Sequence, residues 1–137
     1  MIAGKILHAF AFAFIAFAMP FVWTTGAEAS CSPGATACPI RIQMTRGTNT
    51  VTLDGRLVQN QDCCAYVLRA RAGQTLHWKE EGATVRTLIT DPRGQSDGPG
   101  LPEAIPLQFD GDYIFSVHPN LMADGAFGPF RLTLAIK

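Results

Sequence analysis

The sequence has no net charge, because its 137 residues include 11 basic and 11 acidic side chains. A balanced chain has no electrostatic reason to bind a nucleic acid or an anionic membrane surface, so neither partner is predicted. No stretch repeats its apolar residues with the 3.6-residue period of a capped α-helix. The absence of that period argues against a helical domain.

Motifs for catalysis and metal binding are also missing. Ser96 and Ser116 do not lie in the G-x-S-x-G context of a nucleophile elbow. His77 and His118 are isolated, and the four cysteines show no C-x-x-C spacing, which argues against a zinc site. The sequence therefore predicts a protein that is not an enzyme and that holds no metal or other cofactor.

The apolar residues that the chain does have are concentrated at its N-terminus. Lys5 is the only charged residue before Glu28, and residues 6–23 are almost wholly apolar. The triplet Ala27-Glu28-Ala29 then completes the pattern of a secretory signal peptide. We predict that residues 1–29 are removed on export, which makes the mature protein periplasmic or secreted and free of the membrane. The alternative is an uncleaved anchor, because the apolar run approaches the ~20 residues that span a bilayer.

Four cysteines lie in the part that remains after cleavage, namely Cys31, Cys38, Cys63 and Cys64. Export makes disulfides the default, and four cysteines allow three pairings. One pairing joins Cys63 to Cys64, and the other two tie the N-terminal segment to these adjacent cysteines. Neighbouring side chains of an extended segment point to opposite faces, so we expect a cross-link between segments. Residues 30–39 are then a disulfide-pinned arm, with the Cys63–Cys64 bond as the alternative.

Alternation of apolar and polar residues dominates the rest of the chain. It is clearest at the C-terminus, where Phe130, Leu132, Leu134 and Ile136 alternate with Arg131, Thr133, Ala135 and Lys137. Gly55 interrupts one such segment, where a bulge or bend is expected. About eight short strands after residue 40 predict an all-β fold over residues 40–137. We expect an antiparallel β-sandwich with jelly-roll-like connections.

Two long segments between the predicted strands are expected to be loops. Residues 91–103 hold three glycines and three prolines, and residues 120–129 form the second segment. Loops of this length are uncommon and often functional. If both project from one end of the sandwich, six polar residues share a surface: Asp91, Arg93, Asp97, His118, Asn120 and Asp124.

The most informative run is YVLRARAGQTL, residues 66–76. It resembles a β-sandwich pattern, Y-x-x-x-A-x-x-G-Q, found in bacterial pre-peptidase C-terminal domains and in periplasmic inhibitors of g-type lysozyme. Residues 42–47, followed by Gly55, look like the opening strands of the inhibitor family. Gly111-Asp112-Tyr113 resembles a shared strand start, and residues 130–137 resemble the closing strand. The resemblance covers about residues 40–137.

This resemblance implies an exported protein that plugs the cleft of a g-type lysozyme with its loops. Such a cleft presents carboxylates, so an inhibitory loop should offer cationic or hydrogen-bond donors. Arg93 is the only cation of the first loop, while His118 and Asn120 flank Pro119 at the second. We predict that Arg93, His118 and Asn120 bind the partner protein. The alternative is a pre-peptidase-like accessory module that binds carbohydrate or another protein. The oligomeric state stays open.

Overall fold

The computed structural model describes residues 32–137, so the predicted signal peptide and Cys31 lie outside the described residues. Within this range the chain forms nine β-strands and no helix, and so no helix there is long and apolar enough to cross a membrane. The strands are β1 (Ile40–Ile42), β2 (Thr50–Leu57), β3 (Ala65–Ala70), β4 (Thr75–Gly82), β5 (Val85–Thr90), β6 (Ser96–Asp97), β7 (Ala104–Pro106), β8 (Gly111–Pro119) and β9 (Gly128–Ile136).

The strands form two stacked sheets. The first has the order β1-β3-β8-β5-β6 and the second has the order β2-β9-β4-β7. All neighbours are antiparallel except β1 and β3, where Ile40 pairs with Tyr66 in a parallel register. The predicted all-β antiparallel sandwich is confirmed, with one parallel pair at a sheet edge. The jelly-roll description and the boundaries of residues 30–39 and 40–137 stay predictions.

The alternation that predicted the strands also forms the core. Leu132 and Leu134 of β9 are fully buried, and so are Leu76 of β4 and Phe115 of β8. Trp78 lies on the buried face of β4 and packs edge-on against Phe115, with 6.1 Å between the ring centroids. Each such side chain contributes about 2 kcal/mol by leaving water. Burial across two sheets therefore provides the main stabilisation of the fold.

Gly55 does not form the expected bulge. The register of β2 against β9 is continuous from Thr50 to Leu57, and Gly55 lies opposite Phe130. The Phe130 ring lies across the glycine, in the space that a Cβ atom would occupy. The glycine is therefore needed for cross-strand packing of the ring rather than for a bend.

The predicted long loops are both shorter than expected. Residues 91–103 are interrupted by β6, in which Ser96 pairs with Thr90 of β5. The second loop ends before Gly128, where β9 begins. The glycines and prolines that predicted a continuous loop do not prevent a two-residue strand from forming at the sheet edge.

The expected cross-link between the arm and the Cys63–Cys64 region is wrong, because these adjacent cysteines are bonded to each other. Cys64 has a φ of 74°, so the pair is not in the extended conformation that would send its side chains to opposite faces. Cys38 is disulfide-bonded as well. Hydrogen bonds tie the arm down instead: the Thr36 hydroxyl donates to Asp62 (2.8 Å) and the Ala65 N–H donates to the Gly34 carbonyl (2.9 Å).

The strand registers define two ends of the sandwich. In the second sheet, the last residue of β2 lies opposite the first residue of β9, and Gly82 at the end of β4 lies opposite Phe130. Only Ala83 and Thr84 join β4 to β5, so the same end of the first sheet is marked by Val85 and its partner Pro119. This end carries residues 58–64, 83–84 and 120–127. The opposite end carries residues 43–49, 71–74, 91–95 and 107–110.

Candidate functional site

Exposed apolar side chains are gathered at one end of the sandwich. Five large apolar residues of the described chain are strongly exposed: Ile40 (44%), Val58 (45%), Leu121 (72%), Met122 (90%) and Phe127 (40%). Ile40 begins β1 beside Tyr66, and the other four lie in the segments that follow β2 and β8. We call this surface the apolar end, defined by these five residues. Exposed apolar side chains on one surface are typical of a protein-binding site.

The 120–127 loop, which carries three of these residues, is held by Thr84. The Asn120 N–H donates to the Thr84 carbonyl (3.0 Å), and the Thr84 N–H donates to the Gly125 carbonyl (2.8 Å). The Thr84 hydroxyl donates to the Asp124 carbonyl (2.9 Å). Both halves of the loop are therefore fixed to the connection between β4 and β5, and Ala126 is buried beneath them.

The tip of this loop is a tight turn. The Ala123 N–H donates to the Asn120 carbonyl (3.0 Å), and the Met122 N–H donates to the Asn120 side-chain oxygen (3.2 Å). Leu121 and Met122 are the two central residues of the turn, which leaves them in solvent. A loop already held in one conformation loses little conformational entropy when it binds a partner. The tip is thus suited to inserting two apolar side chains into a cavity of another molecule.

Two of the predicted partner-binding residues lie at this apolar end. His118 is half-buried near the end of β8, opposite Arg86 of β5. Asn120 begins the loop, and its side-chain oxygen is used in the turn, which leaves its NH₂ group as a donor. The structure therefore brings His118 and Asn120 close to the exposed loop tip.

Arg93 lies at the opposite end, beyond Thr90 of β5. Its guanidinium donates to one Asp91 carboxylate oxygen from Nε (3.2 Å) and Nη2 (2.9 Å), and it lies 3.8 Å from the centroid of the Phe109 ring. We call this surface the polar end, defined by Arg71, Asp91, Arg93 and Asp110. The two long segments begin at different ends, so the six polar residues that were expected to share a surface are divided between them. Asp91 and Arg93 lie at the polar end, whereas His118, Asn120 and Asp124 lie at the apolar end.

The Asp91 carboxylate organises the start of the first loop. Its second oxygen accepts the N–H groups of Arg93 (2.8 Å) and Gln95 (3.0 Å). Partial burial raises the pKa of the Asp91 carboxyl, but these backbone donors and the Arg93 side chain outweigh burial and hold its pKa below 3.8. The carboxylate and the guanidinium are therefore already bonded to each other, so a partner protein would have to compete with Asp91 for the guanidinium.

A cavity of about 450 Å³ lies between β4 and β5. It exists because these consecutive strands belong to different sheets and separate after the connection at residues 83–84. Its lining includes Trp78, Arg86, Leu101, Glu103 and Asn120. The cavity therefore adjoins the base of the 120–127 loop and offers side chains of both charges. Across residues 32–137, no three His, Cys, Asp or Glu side chains are grouped so as to hold a metal ion.

The sequence interpretation missed Leu121, Met122, Phe127 and Thr84. Polar side chains usually perform the chemistry of a site, so the prediction from sequence rests on the polar residues of the two loops. The available signal was the presence of three large apolar residues in the eight-residue segment 120–127, which also contains Asp124 and Gly125. Apolar residues in a segment too irregular to be a strand indicate an exposed contact surface.

No family model and no curated protein matches the chain. Solved structures of similar fold do exist. PliG of Aeromonas hydrophila, a periplasmic lysozyme inhibitor of g-type lysozyme, superimposes with a TM-score of 0.60 at 23% identity, over 77% of this chain and 100% of that one. PliG of Salmonella Typhimurium gives 0.53 at 18% identity, over 72% of this chain and 97% of that one.

A mutant of the Escherichia coli inhibitor PliG superimposes with a TM-score of 0.51 at 16% identity, over 72% of this chain and 97% of that one. All three structures are described as periplasmic inhibitors of g-type lysozyme. At these identities the likeness shows a shared fold. The predicted resemblance is confirmed: the chain resembles the PliG inhibitors of g-type lysozyme in fold.

Proposed function

We propose that this protein is an exported inhibitor of a g-type lysozyme and that it binds the enzyme with its apolar end. The fold shared with three such inhibitors supports the lysozyme as partner. The observation that carries the choice of surface is the 120–127 loop, which Thr84 fixes while Leu121 and Met122 stay in solvent. In this proposal the tip enters the substrate cleft and excludes the glycan strand.

Occlusion of this kind uses both the apolar and the polar groups of the apolar end. Leu121 and Met122 leave water on insertion, which is worth about 25 cal/mol for each Å² of apolar surface buried. Glycosidase clefts carry a pair of carboxyl groups beside the scissile bond. The imidazole of His118 and the NH₂ group of Asn120 lie at the base of the loop and act as donors to such carboxylates.

In this proposal the chain performs no chemistry of its own, so it is not an enzyme. Removal of residues 1–29 would release the mature domain into the periplasm or the medium, where peptidoglycan is accessible to lysozymes. The inhibitor would then protect the cell wall by binding the enzyme in a stoichiometric complex.

A cell-wall clearing assay with purified mature protein and a g-type lysozyme tests the proposal. We expect clearing to stop once the protein reaches the molar amount of the enzyme. Gel filtration of the two proteins without cell wall should show one complex, which separates binding of the enzyme from coating of its substrate. Unchanged clearing at large excess, with separate elution of the two proteins, would rule the proposal out.

A second candidate function is carbohydrate binding in the cavity between β4 and β5. Its volume of about 450 Å³ lies within the range of small-molecule sites, and its lining residues include Trp78, Arg86 and Glu103. Sedimentation of the protein with insoluble peptidoglycan, in the absence of any lysozyme, would favour this function. Loss of that binding in Glu103→Gln, with retention in Glu81→Gln outside the cavity, would assign it to the cavity.

A further inference from the structure

The four sheet edges of the described chain are very unequal. β1, β6 and β7 have three, two and three residues, whereas β2 has eight. Natural proteins protect sheet edges by short strands, by charged residues or proline, or by bulges. β2 contains no lysine or proline and pairs with β9 without interruption, and its charged residues, Asp54 and Arg56, follow an uncharged stretch from Thr50 to Leu53. It is the longest edge strand in residues 32–137, and its first four residues carry none of these protections.

The hydrogen bonds of the second sheet determine which peptide groups of β2 point outward. Thr75 and Lys137 exchange two backbone hydrogen bonds between β4 and the end of β9, and the Ile136 N–H donates to the Asn49 carbonyl on the other side. Hydrogen-bonded pairs alternate along antiparallel strands. Val51, Leu53 and Gly55 therefore bond to β9. The peptide groups of the remaining residues, Thr50, Thr52, Asp54 and Arg56, point away from the sheet.

The outward groups of Thr50, Thr52 and Asp54 have no backbone partner among the described residues. The Arg56 carbonyl differs, because the sulfur atoms of Cys63 and Cys64 lie 3.5 and 3.8 Å from it. The open part of the edge is thus limited to residues 50–54.

The apolar side chains along this edge are also incompletely covered. Val51 and Leu53 point into the sandwich but are only half-buried, whereas Leu132 and Leu134, their partners on β9, are fully buried. A further strand beside β2 would cover Val51 and Leu53 and would satisfy the free peptide groups. The backbone and the side chains therefore point independently to a missing strand.

We propose that the missing strand is β2 of a second copy of the chain, paired antiparallel across a two-fold axis at Thr52. The two copies then share a continuous eight-stranded sheet. A two-fold interface requires a self-complementary surface. Residues 50–54, with the sequence TVTLD, meet that requirement on both faces of the sheet.

On the outer face, Thr50 lies opposite the partner's Asp54. One oxygen of this carboxylate accepts from Arg131 (2.7 Å), and the other can accept from the Thr50 hydroxyl, which in the single chain donates to the Asn49 side chain (3.3 Å). Thr52 lies opposite the partner's Thr52. On the inner face, Val51 lies opposite the partner's Leu53, and the half-buried apolar residues cover each other. An axis at Asp54 would instead place two carboxylates opposite each other, which is unfavourable. The zero net charge of the chain adds no long-range repulsion between copies.

This association is independent of the proposed lysozyme contact. The paired residues 50–54 lie in the half of β2 nearer the polar end, while the 120–127 loop lies beyond Leu57 at the other end. A dimer would therefore leave both loops exposed. A measurement of mass, made without lysozyme, can fail without affecting the inhibitor proposal, and the reverse also holds.

Sedimentation analysis of the mature protein tests the dimer. The protein is measured at about 100 µM, a concentration above the dissociation constant of a dimer in the micromolar range. We expect twice the mass of one chain. Thr52→Lys places two ammonium groups opposite each other at the axis and should raise the dissociation constant at least tenfold. Thr133→Lys, on the same face one strand inward, is the matched control and should sediment as the parent does. A monomeric parent, or an unchanged dimer in Thr52→Lys, would overturn the proposal.

A cross-linking experiment tests the register. Directly opposed residues of a hydrogen-bonded pair have Cα atoms about 5.5 Å apart, which a disulfide can span. Thr52→Cys should therefore form an interchain disulfide under mild oxidation, while Thr50→Cys, whose copies are separated by about 13 Å along the strands, should not. Equal cross-linking of both variants, or none in Thr52→Cys, would contradict pairing at Thr52. Thermal unfolding of each variant shows whether its fold is retained.

Discussion

The two ends of the sandwich differ in what their exposed side chains contact. At the polar end, three charged groups are engaged within the chain: Arg93 pairs with Asp91 and lies on Phe109, and the Ala72 N–H donates to Asp110 (2.8 Å). At the apolar end, backbone hydrogen bonds fix the 120–127 loop, but Leu121 and Met122 at its tip contact mainly water. Arg93 is therefore already occupied by contacts within the chain, whereas the tip of the apolar end is not.

This difference has an energetic consequence for binding. A partner that uses the Arg93 guanidinium must replace its contacts with Asp91 and Phe109, which offsets much of any new ion pair. A partner that contacts Leu121 and Met122 displaces only water from a loop that is already ordered. For equal contact area, the apolar end is the more favourable binding surface.

The largest expected effect comes from charging the tip of the apolar end. The double change Leu121→Asp and Met122→Asp removes the apolar insertion and places carboxylates against those of the lysozyme cleft. We expect inhibition to weaken by at least ~100-fold, or about 3 kcal/mol, which is the scale of interface hot spots. Titration of the lysozyme in the clearing assay measures the change.

The matched control for this double variant adds two negative charges at the polar end. Gln95 and Gln108 are both exposed there, so Gln95→Asp with Gln108→Asp alters net charge equally without touching the loop. Equal loss of inhibition in both double variants would mean that net charge, not the apolar end, determines binding. Full inhibition by the tip variant would place the contact elsewhere.

A smaller effect is expected from loosening the loop without changing its tip. Thr84→Val keeps the shape of the side chain but removes the hydroxyl that donates to the Asp124 carbonyl. One such hydrogen bond is worth about 1 kcal/mol, so inhibition should weaken by about fivefold. Thr90→Val removes a comparable hydroxyl contact with Ser96 (2.7 Å) at the other end and should leave inhibition unchanged. Inhibition curves of the two variants, measured side by side, test whether loop order matters.

Most of the fold could be predicted from the sequence. In β9, Phe130, Leu132 and Leu134 alternate with residues of the outer face, and that period of two is a direct consequence of strand geometry. The same pattern located β1, β3 and β4, and β-branched residues indicated β5. The β6 strand was missed because two residues at an edge carry no periodic signal.

Long-range features of the site could not be read from the sequence. Whether two loops share an end depends on strand order and register, and these placed Arg93 and His118 at different ends. The Cys63–Cys64 bond depends on a left-handed backbone at Cys64, which no local pattern around it indicates. Exposure of Leu121 likewise follows from the turn at Asn120, while its apolar character alone is typical of a core residue.

Removing Arg93 should have little effect on inhibition of the lysozyme, although the sequence alone predicts that Arg93 binds the partner. Arg93→Ala eliminates the contacts with Asp91 and Phe109 at the polar end, and we expect inhibition to change by less than about twofold. Because the side chain is about half exposed, the melting temperature should also change little. A loss of inhibition by about 30-fold or more, with an unchanged melting temperature, would show that the polar end is the binding surface.

The smallest expected effect is on the ionisation of Asp91. Burial raises the pKa of the Asp91 carboxyl, but hydrogen bonds from Gln95 and Arg93 outweigh it and hold the pKa below its usual value. Arg93→Ala should therefore raise this pKa, while the remaining backbone donors limit the rise. A lowered folded-state pKa stabilises the fold above the unfolded pKa, and that stabilisation is lost as the pH falls through the folded pKa. The small difference in melting temperature between the parent and Arg93→Ala should therefore narrow further below about pH 4. Titration of the carboxyl carbon by NMR measures the pKa directly, with Asp112 beside Arg41 as an internal reference that Arg93→Ala should not move. An unchanged Asp91 pKa would show that the guanidinium does not engage this carboxylate in solution, and Arg93 would then be available to a partner at the polar end.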